Sequence, residues 1–316
     1  MPDYWPAAWH GHELIFGYAY AVVGGYLLTR PGPAGVPLVL GAWLLGRVAT
    51  LGPVMPPVVT GALALAFPVA LFFGAGLPLA RAAKKPRNRV FAPLLAGLVA
   101  DLLGLLLFVM GGRFLASVAS GRHQARGRWL VRLSQPRRER AGVKTLLAMA
   151  LLDVLAVVAG LAVTLPGVLA LLGSVLIVAR LGGWRGWRLL DDPQTGVLQA
   201  GYLWLGAGLA LKGAVQMAGV VFPVGALHVL LVGGLGTLTL AVMTRVLRSR
   251  RGLMPPLPPV AAMAAALVSV AAVARIAAWV GPEAPLWLGA AGLAWCLAWI
   301  LFLAGPVRNH SRASAS

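Results

Sequence analysis

Acidic side chains are scarce: eight Asp and Glu stand against 27 Lys and Arg in 316 residues, and only 11% of the chain is charged. Soluble domains run at about 25% charged. With 59% hydrophobic residues, the chain has too little polar surface to cover itself in water. The single cysteine, Cys296, excludes an internal disulfide and any cysteine-ligated cluster, and its place in an apolar run points to packing. There is no P-loop, no Rossmann fingerprint after a strand, no CxxC and no HExxH. Residues 1–8 lack a basic n-region and carry Asp3, so no secretory signal is read there and the first helix is expected to stay in the membrane.

Long apolar runs fill the rest of the chain. They lie near 9–28, 36–51, 58–79, 90–110, 145–163, 166–180, 196–217, 224–244, 259–280 and 286–304. A hydrocarbon core about 30 Å thick needs roughly 20 apolar residues per helix. The expected fold is therefore all-α, a polytopic transmembrane helix bundle of about ten spans, forming one domain over 1–316 with a basic loop at 113–144. Gly 40 and Pro 23 fit this, because small residues let membrane helices approach closely.

The net charge of +19 does not point to nucleic acid. Lys and Arg fall between the apolar runs, in 81–89, 113–144, 180–188, 245–251 and the tail. The loops near 52–57, 164–166, 218–223 and 281–285 have none. Basic loops stay on the cytoplasmic side, so the partner is a bilayer with an anionic inner leaflet and the C-terminus is expected in the cytoplasm. The alternation fails once. Loops 81–89 and 113–144 are both basic, yet 90–110 holds only one span. Trp129, Leu130 and Leu133 among the arginines also allow a basic amphipathic segment on the leaflet.

Ionisable residues at membrane depth default to functional hypotheses. His123 and His310 sit in basic polar stretches and need no role. His10 and His12, followed by Glu13, open the first span, and His228 opens the eighth. The charge pattern places all three near the outer face. Imidazole is a common ligand of haem iron and copper. On a helix His10 and His12 point about 200° apart, so they cannot share one metal. Glu13 lies on the face of His10 and can support it or take a proton. Gly17, Ala21 and Gly24 below His10, and Gly233, Gly234 and Gly236 below His228, suggest that the first and eighth spans approach each other. Arg47, Asp101, Asp153, Lys212 and Arg275 are the other intramembrane charges. The acids are expected to pair with these bases, or to line the path of a small-ion or small-molecule transporter or channel without haem.

The run Trp9-His10-Gly11-His12-Glu13-Leu14-Ile15-Phe16-Gly17 resembles the W-H-x-H-E-M-x-F-G opening of the NnrS family. Trp43-Leu44-Leu45-Gly46-Arg47, Arg87-Asn88, Gly111-Gly112-Arg113, Gly201-Tyr202-Leu203-Trp204-Leu205 and the stretch from His228 to Met243-Thr244-Arg245 are similar to later family motifs, in the same order. The resemblance implies a bacterial inner-membrane protein with haem and copper, linked to nitric oxide or metal stress. His10, His12 and His228 would be the ligands, with Glu13 beside them. The chain also departs from the pattern. It lacks the helix before W-H-x-H-E and one span between R-N and G-G-R, at the place where the charge alternation fails. Gln199 and Arg250 stand near positions where the family tends to have His.

Overall fold

The computed structural model describes residues 17–18, 21–22, 35–51, 57–71, 73–74, 100–125, 135–189, 191–220, 224–249 and 257–307. Regular structure among them is helical throughout, without strands. Four helices are long and apolar enough to cross a membrane: Thr164–Trp184, Val224–Arg248, Pro259–Val280 and Ala284–Gly305. Gly35–Ala49 is a shorter apolar helix. Of the ten spans read from the sequence, most of the first and the start of the fourth lie outside the described residues, as does the whole segment 81–99. The chain divides into two compact units, Met1–Leu103 and Gly104–Ser316.

In the first unit, α1 (Gly35–Leu51) packs on α2 (Pro57–Leu71). Val39 and Ala49 of α1 and Phe67 and Leu71 of α2 are buried. The Trp43 indole donates to the carbonyl of Gly17 at 2.9 Å. This bond ties the second motif to the last residue of the first.

The second unit begins within α3 (Ala100–Ala125) and continues through α4 (Pro136–Ala159), α5 (Thr164–Trp184) and a 3-10 turn at Gly186–Leu189. After α6 (Pro193–Met217) comes a long helix in three parts: α7 (Val224–His228), a π-helical segment (Val229–Gly236) and α8 (Thr237–Ser249). Next are α9 (Pro259–Val280), α10 (Ala284–Phe302) and a short π segment at Leu303–Val307. Short turns join α4 to α5 and α9 to α10, and each pair packs as an antiparallel hairpin. Gly160 ends α4 in the left-handed conformation (φ 63°), which a residue without Cβ adopts freely.

Helix α6 is the centre of this unit. Four of its glycines face four different neighbours: a Cβ at Gly201 would meet Leu238, at Gly206 Ile177, at Gly208 Leu230, and at Gly213 the carbonyl of Gly167. Lipid supplies no hydrophobic force between helices, so close backbone approach of this kind is what packs them.

Three expectations need correction. The basic stretch 113–144 is helical over 113–125 and 136–144, as the end of α3 and the start of α4. Arginines break the hydropathy there but not the helical period: Leu105, Phe108, Leu115, Ala119 and His123 fall on one buried face. The glycines of the π segment serve α6 and α10. Gly233 is filled by the Trp204 indole and Gly236 by that of Trp295, each within 2.8 Å of where a Cβ would stand. Cys296 does not pack inward; it is exposed on α10.

Candidate functional site

Because neighbouring helices alternate in direction, the second unit has two distinct ends. At one lie the ends of α4, α6 and α9 and the starts of α5, α7 and α10. At the other lie the ends of α3, α5 and α8 and the starts of α4 and α6, rich in arginine.

His228 lies at the first end, as the last residue of α7 before the π segment. Its Nδ1 is 2.8 Å from the Val224 carbonyl, and its Nε2 is 2.5 Å from Nη2 of Arg275 on α9. These partners fix the tautomer. A guanidinium only donates, so Nε2 accepts; a carbonyl only accepts, so Nδ1 carries the proton. The imidazole is therefore neutral with its lone pair on Nε2. Backbone anchoring of Nδ1 with Nε2 left basic is the arrangement of a metal-binding histidine. Here Arg275 holds that lone pair, so a metal would have to displace it. The π segment that follows widens the helix at the position where such segments often mark functional sites.

His10, His12 and Glu13 lie outside the described residues. Among the described residues no group of three or more His, Cys, Asp or Glu is placed to hold a metal.

At the same end, Lys212 of α6 meets Asp153 of α4 at 2.5 Å. Gln216 closes the triangle, accepting from Lys212 at 3.0 Å and donating to Asp153 at 2.6 Å. Both carboxylate oxygens are thus engaged. Asp153 pairs with a base, as expected, and Lys212 is the base chosen. Arg275, also a candidate for that role, goes to His228 instead.

Toward the other end, Arg180 of α5 is buried at 2% exposure within an aromatic box. Its Cζ lies 4.5 Å from the ring centre of Phe108, 4.9 Å from Trp184 and 5.8 Å from Tyr202. Arg180 Nη1 donates to the Phe108 carbonyl at 3.0 Å and to the Tyr202 hydroxyl at 2.8 Å. Glu139 approaches the same guanidinium at 3.9 Å and accepts two bonds from Arg113, at 2.9 and 2.7 Å. Arg122 likewise grips Asp192 with two bonds, at 3.2 and 2.8 Å. Asp192 caps α6 by accepting from Thr195 N and Oγ1.

This end also corrects the reading of His123. It is buried at 2% exposure, with Nε2 3.3 Å from the Trp184 carbonyl, rather than solvated. It sits one turn below Ala119 on the buried face of α3, a period the sequence carries but the surrounding arginines mask.

Two of the motifs quoted above, Gly111-Gly112-Arg113 and Gly201-Tyr202-Leu203-Trp204-Leu205, thus meet around Arg180. The model of the family described as NnrS protein matches residues 2–308. The chain belongs to the NnrS family. No curated protein and no solved structure matches it. With the family assigned, its motifs acquire physical reasons in this chain. In Gly111-Gly112-Arg113, a Cβ on Gly112 would stand 2.6 Å from Arg180 Nη2, and Arg113 reaches Glu139. In Gly201-Tyr202-Leu203-Trp204-Leu205, Tyr202 bonds Phe108 and Arg180, and Trp204 donates to Ser269 at 3.0 Å. Much of the NnrS pattern in this chain is therefore architecture, and sequence reasoning missed Arg180, Tyr202 and Glu139 as its centre. Four apolar helices together with the NnrS assignment fit an integral membrane protein.

Proposed function

We propose that this NnrS-family protein binds haem, and copper with it, in a bacterial inner membrane as part of a nitric oxide or metal-stress response. The observation that carries the reading is the state of His228, neutral, with Nδ1 anchored on the Val224 carbonyl and Nε2 basic. His228 would supply a haem ligand. His10 and His12 would supply others, with Glu13 supporting His10. Bound haem iron supplies a site for a diatomic ligand such as nitric oxide. The chain's own share is to hold the imidazole tautomer and to place the half-buried positive charge of Arg275 beside it.

The absorption spectrum and metal content of the purified protein test this. A Soret band that disappears in His228→Ala and survives in His310→Ala supports it. A band unchanged in His228→Ala removes His228 from the site. Absence of any band and of copper in protein expressed with both supplied overturns the proposal.

A further inference from the structure

The haem reading leaves the motif Met243-Thr244-Arg245 unused, and the arginine-rich end of the second unit holds buried polar groups without a partner among the described residues. Gln194 and Thr244 are 4% and 0% exposed, yet among the described residues Gln194 Nε2 and Thr244 Oγ1 have no hydrogen-bond partner. Neither does the buried Nε of Arg248. Buried polar groups are almost always satisfied, so a cluster of exceptions calls for a missing partner.

The start of α6 and the end of α8, which carry these groups, pack on one cluster. Val197, one turn beyond Gln194, and Leu247, next to Arg248, pack on the same buried cluster around Leu240. Thr244 lies between Leu240 and Leu247 on that face of α8. Arg245 follows it, with its guanidinium 5.6 Å from the Phe114 ring and no ion pair among the described residues. Of the three acids described at this end, Asp192 and Glu139 are already taken, by Arg122 with Thr195 and by Arg113, and Asp191 is exposed and also engaged. What remains is an excess of donors and of positive charge.

A tetrahedral oxyanion matches that set. Its oxygens accept from guanidinium, amide and hydroxyl together, and its charge offsets the arginines. We propose that the start of α6 and the end of α8 form a phosphate-binding site, built from Gln194, Thr244, Arg245 and Arg248, for the headgroup of an anionic phospholipid or for free phosphate. Basic recesses between helices at the cytoplasmic face are where such headgroups are held.

The test uses the full chain in uncharged detergent and reads its thermal unfolding midpoint. Phosphatidylglycerol raises the midpoint and phosphatidylcholine does not. The rise falls by about half or more in Arg248→Gln and in Thr244→Val, as weaker binding requires. Gln194→Leu serves in place of either variant that does not fold. Arg137→Gln, an exposed arginine at the same end, keeps the full rise. A rise with inorganic phosphate equal to that with phosphatidylglycerol assigns the site to the free oxyanion; no rise with inorganic phosphate assigns it to the headgroup. No rise with either probe, or a rise intact in the site variants, overturns the proposal.

Discussion

Tyr202 and Arg180 share one acceptor. The Phe108 carbonyl takes a bond from the Tyr202 hydroxyl at 2.9 Å and from Arg180 Nη1 at 3.0 Å. The hydroxyl accepts from the same nitrogen of Arg180 at 2.8 Å. Three helices, α3, α5 and α6, are therefore pinned at one point in the protein interior. A buried guanidinium is costly in an apolar medium unless its charge is met, and here aromatic faces, a carbonyl, a hydroxyl and the nearby Glu139 meet it together.

That node makes Gly112 indispensable. A Cβ there would stand 2.6 to 2.8 Å from three atoms of the Arg180 guanidinium, which its own hydrogen bonds hold in place. Gly112→Ala is expected to lower stability by about 1–3 kcal/mol, the usual cost of overpacking. Gly121, on the same helix with nothing within 4 Å of a Cβ, is the control. Gly121→Ala is expected to gain about 0.5–1 kcal/mol, since alanine is the better helix former. Thermal unfolding in detergent checks the opposite signs. Equal effects from the two would dissociate Gly112 from the Arg180 contact.

The Lys212–Asp153–Gln216 triangle gives a second test. Removing one partner of a buried pair strands the other charge and costs about 3–5 kcal/mol. Lys212→Met is expected to behave so, with Lys212 3% exposed. Adding Asp153→Leu removes the stranded carboxylate, and the double variant is expected to recover most of the loss. If the double variant is no more stable than Lys212→Met alone, the triangle is not an ion pair in energetic terms. Recovery also weighs against an ion path through Asp153, because a structural pair can be replaced by apolar side chains.

The helices were legible in the sequence and the connections were less so. Apolar length alone places α5, α9 and α10 to within a few residues, because lipid-crossing helices need an unbroken run. The end of α3 was not legible by hydropathy. Arg113 and Arg122 lower the average, but both are neutralised by carboxylates on other helices, Glu139 and Asp192, far apart in sequence. Pairing across 26 and 70 residues leaves no local trace. The same holds at the site. His228 is conspicuous as an isolated imidazole in an apolar run, whereas its partner Arg275 is 47 residues away. Arg180 was read as a loop charge because it closes an apolar run, and only the fold turns it inward.

The charge pattern predicts the side on which the C-terminus lies. Arginines gather at the end of the second unit that contains the starts of α4 and α6 and the end of α8, and the turns at the other end, 160–163, 218–220 and 281–283, have none. Positive loops remain cytoplasmic. Alkaline phosphatase fused after Arg308 is therefore expected to be inactive, and a fluorescent protein fused there to be bright. An active phosphatase would invert the orientation and place His228 on the cytoplasmic side.

Arg275 offers the sharpest test of the metal-binding reading. Its guanidinium donates to the lone pair on His228 Nε2, the atom a metal would need. Ligation must break that bond, so the arginine competes with the metal for the imidazole. Arg275→Leu removes this competing donor without touching the anchoring bond to the Val224 carbonyl, and it is expected to raise the fraction of protein loaded with haem or to tighten its retention. A purely structural Arg275–His228 contact predicts the reverse: the variant loses stability and gains no absorbance. Titrating hemin into detergent-purified wild type, Arg275→Leu and His228→Ala separates the two outcomes, because only competition makes the arginine and histidine variants move in opposite directions. Hemin uptake unchanged in His228→Ala would make His228 a packing residue and leave His10 and His12 as the remaining candidate ligands.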